Sequence, residues 1–226
     1  MTEFFAPAPG AHRRVALVPR WLRILAVAAG VTALGSCSVL HAVTRQQDRR
    51  EALVPAGRYV IDPRHSSVVF SVDHLGFSDF TLRFDQVAGQ LDWPAGGIAA
   101  ARVRARVATA SVDSNDPALD AQLRSPAMLD AARQPFIEWV ASGWRPTAPG
   151  RGDLQGMLTL GRSSEPLRLH ARFNGYGVDP ITGKPTLGFS ATGEFSRAGL
   201  DLRAWPGFVG DTVRVRIEVE FVAAAH

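Results

Sequence analysis

From Tyr59 onward, apolar residues recur at every second position, the period of strands with one buried face. Val68, Phe70 and Val72 alternate with Ser67, Val69, Ser71 and Asp73, and Phe80, Leu82 and Phe84 alternate with Thr81, Arg83 and Asp85. Val103, Ala105 and Val107 alternate with Arg102, Arg104 and Arg106. Leu167, Leu169, Ala171 and Phe173 oppose Arg168, His170 and Arg172, and Val213, Val215, Ile217, Val219 and Phe221 oppose Arg214, Arg216, Glu218 and Glu220. With IEWVAS, LQGMLTL and TLGFSATGEF, this makes about eight or nine strands, separated by turn signals such as WPAGG, RPTAPGRGD, DPITGKP and AWPGFVGD. Such a number fits a closed antiparallel barrel or a sandwich. One segment breaks the period. Residues 116–135, DPALDAQLRSPAMLDAARQP, place Ala, Leu and Met at helical spacings, which predicts one or two short helices, broken near Pro126 and lying as a lid over a barrel mouth.

The amino-terminal part reads differently. Residues 1–23 form a basic region with Arg13, Arg14, Arg20 and Arg23, and residues 24–40, ILAVAAGVTALGSCSVL, are apolar or small throughout. A basic region followed by an apolar run is an export signal or a membrane anchor, and the arginines mark the cytoplasmic side. Three fates stay open: an uncleaved signal anchor, ordinary cleavage, or lipidation at Cys37, because Leu34-Gly35-Ser36-Cys37 resembles a bacterial lipobox. Residues 41–58 lack an apolar period and end in Pro and Gly, as a linker does, and residues 59–222 form the folded domain.

Several function classes drop out on residue type and spacing. The net charge of +4 divides into +5 over residues 1–58 and −1 over residues 59–226, so the folded part lacks the basic stripe that nucleic acid requires. Cys37 is the only cysteine, which excludes a disulfide framework and a cysteine zinc cluster. His65 and His74 stand nine residues apart in one strand, so they point to opposite faces, roughly 30 Å apart, and share no ion. His170 lies between arginines on a solvated face, and no metal-ligand spacing, nucleophile elbow, P-loop or dinucleotide fingerprint is found. Asp113, Asp116 and Asp120 read as helix caps, and Arg151-Gly152-Asp153 as part of a turn.

What remains is aromatic surface directed inward, since ten phenylalanines and four tryptophans follow residue 58 and many take the buried parity. An eight-stranded barrel either fills its interior with side chains or holds one small ligand, and the pattern leaves both open. His74 shares the parity of Val68, Phe70 and Val72, so it is expected inside, as a bonded core histidine or as a polar contact in a cavity.

YVIDPRHSSVVFSVDHLGFS, TASVDSND, LRSPAMLDAARQPFIEWVAS, LQGMLTLGRSSEPLRL, GFSATGEFSRAGLDL and VGDTVRVRIEVE, in this order, resemble the signature segments of the YceI-like family over about residues 58 to 222. The resemblance departs at Ala127-Met128-Leu129, where the family commonly has an aromatic pair, and at Gly161-Arg162, where members often carry His-Gly. The resemblance implies an all-β fold: a lipocalin-like eight-stranded antiparallel barrel with short capping helices, here preceded by an N-terminal apolar helix. It also implies a non-enzymatic, exported binding protein of the bacterial envelope, whose elongated apolar pocket holds a polyisoprenoid, quinone-like or similar long-chain lipid. No metal or other cofactor is implied. The location expected is periplasmic and membrane-attached, otherwise secreted, and a homodimer is left open. Candidate contacts are Phe70, His74, Phe80, Phe84, Leu123, Met128, Trp139, Leu169, Phe173, Phe189 and Phe195, with His74 at a polar head and the others around the tail. Two alternatives stand beside this one. The first is an enzyme in the same cavity, with His74 and an inward Glu194 as acid and base, and the second is an envelope interaction module with a packed core.

Overall fold

The alternating segments form the staves of a closed antiparallel barrel. The structure, a computed structural model, describes residues 48–224. The apolar run 24–40, the lipidation candidate Cys37 and residues 41–47 of the linker lie outside the described residues.

Eight staves follow one another up and down, each bonded to the next, and the first three are interrupted. The first stave is β1 (Gly57–Ile61) with β2 (Ser67–His74), the second β3 (Ser78–Phe84) with β4 (Val87–Trp93), and the third β5 (Arg102–Ala108) with β6 (Val112–Asp113). The chain continues through β7 (Phe136–Ser142), a short flap β8 (Arg145–Ala148) on the next stave, then β9 (Arg151–Leu160), β10 (Ser163–Val178), β11 (Pro185–Ser196) and β12 (Val209–Ala223). β12 closes the barrel by pairing with both parts of the first stave, Phe221 with Ile61 and Val215 with Phe70. Closure removes the open edges that would otherwise invite aggregation.

The three interruptions lie side by side. Val68 pairs with Phe84 and Phe84 with Val112 on one side of the breaks, and Val87 pairs with Val107 on the other. Local bonds replace the missing ladder: the Asp85 amide donates to the Ser111 carbonyl at 3.0 Å, and the Gln86 amide to Ser111 Oγ at 3.0 Å. Thr109 is fully buried, and its hydroxyl donates to the Gln134 carbonyl at 2.6 Å. Among the described residues no buried side-chain polar atom lacks a partner, as a well-formed core requires.

The 116–135 segment forms one helix, α1 (Pro117–Arg124), capped by Asp116, which accepts from the amides of Ala118 at 2.9 Å and Leu119 at 3.4 Å. Ser125 is extended, with ψ 163°, as a residue before proline must be, and no second helix follows. Instead the Leu129 amide bonds back to the Leu123 carbonyl at 3.0 Å and draws Leu129 into the core.

Two details correct the pattern read from sequence. Val87–Trp93 is a strand whose inward alternation is masked at Gly89, where an added Cβ would stand 2.7 Å from the Arg104 carbonyl oxygen. Arg151-Gly152-Asp153 begins β9 instead of forming a turn, and Gly152 leaves room for Trp144. Gly156 does the same for Trp139, whose indole N–H donates to the Leu167 carbonyl at 3.3 Å. A Gly156→Ala substitution pushes that indole aside, and overpacking of this kind costs about 1–3 kcal/mol. The expected thermal melt shifts down by roughly 2–12 °C for a domain of this size. An unchanged melt would mean that the Trp139 wall yields freely.

Candidate apolar cavity

The inward residues of β10, β11 and β12 do not meet across the barrel. They enclose an apolar cavity of about 230 Å³ that runs from Leu200, Leu202 and Val213 at one end to Trp93, Ile98 and Phe221 at the other. On β12 the wall extends from Val213 to Phe221, about 26 Å along the strand at about 3.3 Å per residue. With staves tilted 35–45°, that is roughly 20 Å along the axis, so the space is long and thin. Part of the room comes from small side chains: Ala171 of β10 pairs with Ala191 of β11, and both line the cavity. An apolar cavity of about 150 Å³ in another protein stays dry and takes up benzene, and the walls here are of the same apolar kind.

Aromatic rings stack along the walls and against one another. Toward the Trp93 end, Trp93, Phe173, Phe189 and Phe221 follow in series with centroids 6.2, 5.3 and 6.1 Å apart. Near the middle, Phe70 and Phe84 stack at 5.1 Å. Such pairs contribute beyond their burial and hold the wall in one shape.

Of the residues expected to contact a ligand, Phe70, Phe84, Trp139, Leu169, Phe189 and Phe195 line this cavity. Five do not. Phe173 is buried behind Trp93 and Phe189, and Phe80 packs on the core without reaching the cavity. Leu123 is the buried residue of α1 and does not line the cavity, and Met128 is only half-buried, because the backbone turn after Ser125 presents Leu129 to the cavity instead. His74 is exposed: its parity is inward, but it is the last residue of β2, at the rim of the barrel. The acid-base pair of the enzymatic alternative is likewise corrected. Leu187, Phe189, Ala191 and Phe195 face inward, so Glu194 faces out, 62% exposed and 3.4 Å from Arg214. Sequence reading missed Ile98, Leu200 and Leu202, which reach the cavity from connections where no period marks them.

The polar residues along the walls are Ser66, Ser67, Arg106 and Glu218. Three of them have partners within the protein. Glu218 accepts from Ser190 Oγ at 2.6 Å, Ser66 Oγ accepts from the Glu220 amide at 3.1 Å, and the Arg106 guanidinium lies 4.3 Å from the Phe136 ring centre. His65 approaches Asp62 at 3.1 Å and His170 approaches Asp153 at 2.8 Å, both on the outside. Among the described residues no group of three or more His, Cys, Asp or Glu is placed to hold a metal ion.

One guanidinium organises the connection that ends the cavity. Arg197 donates to the carbonyls of Gly210 at 2.9 Å, Leu202 at 2.6 Å, Ala204 at 2.8 Å and Val209 at 3.0 Å. Asp211 anchors the same connection, accepting from Ser196 Oγ at 2.6 Å and from the Ala198 amide at 3.0 Å. The Ser196 hydroxyl, the Ala198 amide and the nearby Arg197 and Arg203 hold its carboxyl below the usual range. In Asp62 burial raises the pKa, but the bonds from Arg64 and His65 outweigh it, so the net shift is downward. Asp120 is lowered chiefly by the Ser114 hydroxyl, and Asp179 chiefly by the Thr182 and Ile181 amides. Folded pKa values below the unfolded value of about 3.9 stabilise the protein above that pH, and the contribution is lost as pH falls through the depressed values. Denaturant midpoints are therefore expected to be level from about pH 7 to pH 5 and to drop below about pH 4. A midpoint that rises on acidification would contradict these carboxylate bonds.

Comparison with known proteins agrees with this architecture. The YceI-like domain model matches residues 59–221. A UPF0312 protein of Shewanella denitrificans is 33% identical over 171 residues, covering 74% of this chain and 88% of that protein. A UPF0312 protein of Vibrio vulnificus is 33% identical over 149 residues, 65% of this chain and 78% of its own. Among solved structures, BcnA of Burkholderia cenocepacia superposes with a TM-score of 0.62 at 18% identity, over 71% of this chain and 98% of that one. The YCEI protein of Campylobacter jejuni does so with a TM-score of 0.59 at 21% identity, over 68% and 90%. At those identities the two structures speak to the fold, while the domain match and the sequence relatives carry the assignment. The chain belongs to the YceI-like family.

Proposed function

We propose that this protein binds a polyisoprenoid or similar long-chain lipid, quinone-like lipids included, with the tail threaded along the barrel axis. The observation that carries this reading is the long, thin cavity with almost wholly apolar walls. Burial supplies about 0.8 kcal/mol per methylene, so ten chain carbons yield roughly 8 kcal/mol before the cost of association, with no charged partner required. The polar wall residues Ser66 and Glu218 are engaged with the protein itself, which leaves shape and dryness as the means of selection. An enzymatic role for His74 and Glu194 finds no support, since both lie outside the cavity. The test is lipid extraction of the purified full chain followed by mass spectrometry, with added polyprenol as the probe. A co-purifying long-chain lipid, or saturable polyprenol uptake, is expected. An empty protein that takes up no polyprenol would overturn the reading.

The envelope is the proposed location, with the domain outside the cytoplasm and attached through residues 24–40 or a lipid on Cys37, or else released by cleavage. The arginines ahead of the apolar run support that orientation. Mass spectrometry of the mature amino terminus separates the three fates, and an intact Met1 would rule out both cleaved forms.

A further inference from the structure

At the end where Leu200, Leu202 and Val213 line the cavity, the strand register brings two turns together. His74, the last residue of β2, pairs with Val209, the first of β12, so the Leu75–Phe77 turn lies beside the turn from Trp205 to Phe208. They pack closely: a Cβ on Gly210 would stand 3.1 Å from that of Asp73. Phe77 is 85% exposed, Phe208 61% and Leu75 45%.

Three observations argue that these side chains face a partner. Leu75 and Trp205 have φ of 58° and 55°, a left-handed conformation that large apolar residues rarely adopt and that Gly or Asn would take without strain. Residues 75–78 and 204–210 form two runs without a single charge, in a chain whose residues are 20% charged. The same connection between β11 and β12 sends Leu200 and Leu202 into the cavity and Phe208 outward, so one loop carries both a part of the cavity wall and an exposed ring.

Rings on uncharged turns containing glycine and proline suit the headgroup layer of a membrane, where aromatic side chains are favoured. We propose that the Leu75–Phe77 and Trp205–Phe208 turns dock the barrel on a lipid surface, at the end through which the cavity exchanges its guest. This rests on the reading of the cavity as a lipid site. The charges around these turns, Asp73, Asp79, Asp201 and Asp211 with Arg197, Arg203 and Arg214, are nearly balanced and largely paired, so contact depends on apolar burial and anionic lipid adds little.

The test uses the full chain reconstituted in phosphatidylcholine vesicles, with the photoreactive p-benzoylphenylalanine at position 77, 208 or 181. Ile181, 93% exposed in the turn at the opposite end, is the comparator. Lipid adducts are expected at 77 and 208 and to be sparse at 181, in low and high salt alike. A double variant, Phe77→Ser with Phe208→Ser, is expected to take up polyprenol from detergent micelles as the unaltered chain does, but from vesicles more slowly by roughly ten-fold per ring. Equal adducts at all three positions, or unaltered uptake from vesicles, overturns the docking face. If the unaltered chain takes up no polyprenol from micelles, the cavity reading fails, and the adducts still decide the docking face.

Discussion

Replacing Arg197 with Ala is expected to lower the melting temperature by roughly 6–12 °C and to loosen the end of the cavity it braces. Its guanidinium donates to four carbonyls, those of Leu202 and Ala204 in the connection between β11 and β12 and those of Val209 and Gly210 at the start of β12. Charge-assisted bonds are each worth about 1.5–3 kcal/mol, but they share one donor group and are not additive. Water reaches part of this half-buried site, so the net loss is about 3 kcal/mol, at roughly 2–4 °C per kcal/mol for a domain of this size. Arg197→Lys is not expected to rescue, because an ammonium on a flexible stem cannot span four acceptors fixed around a planar fork. Amide hydrogen exchange over residues 198–210 checks the mechanism: it rises in both variants while β9 and β10 stay protected. If exchange in that connection does not change, Asp211 alone holds it and the account of Arg197 is wrong.

Much of the barrel is legible in the sequence, and the reasons are local. β10, β11 and β12 are long, and their apolar residues fall on one parity, so strand identity and inward face follow from period two alone. The outward placement of Glu194 was legible too, because Phe189, Ala191 and Phe195 already fix the odd positions as inward. His74 shows the limit of the same rule: parity tells which face a side chain takes, but whether anything lies opposite depends on where the barrel ends. β4 was hidden because at Gly89 a neighbouring backbone occupies the space a side chain would need. Arg197, between Ser196 and Ala198, reads as a solvated cation, and only the path of the connection after β11 brings four carbonyls around it. Leu129 replaced Met128 on the cavity wall for a similar reason, since the turn after a helix has no period to count.

The cavity depends on side chains that are missing as much as on those present, and this gives a sharp test of what it holds. Ala171 and Ala191 stand side by side on neighbouring staves, both buried and both lining the space. Ala191→Phe is expected to fill the middle of the tunnel and exclude about five chain carbons, a loss of roughly 4 kcal/mol or a thousand-fold in affinity for polyprenol. The fold should survive. Overpacking costs about 1–3 kcal/mol where a core is full, but here the ring enters an apolar void and its burial offsets part of that cost. Ala191→Val, smaller and branched, is expected to weaken binding by an intermediate amount. Polyprenol titration followed by intrinsic tryptophan fluorescence, with melting curves on the same samples, separates a plugged tunnel from an unfolded one. A variant that melts normally and binds as before would put the guest outside the barrel. A graded loss from Ala to Val to Phe at constant stability would mean that the tail runs over the stretch of wall that Ala171 and Ala191 leave open.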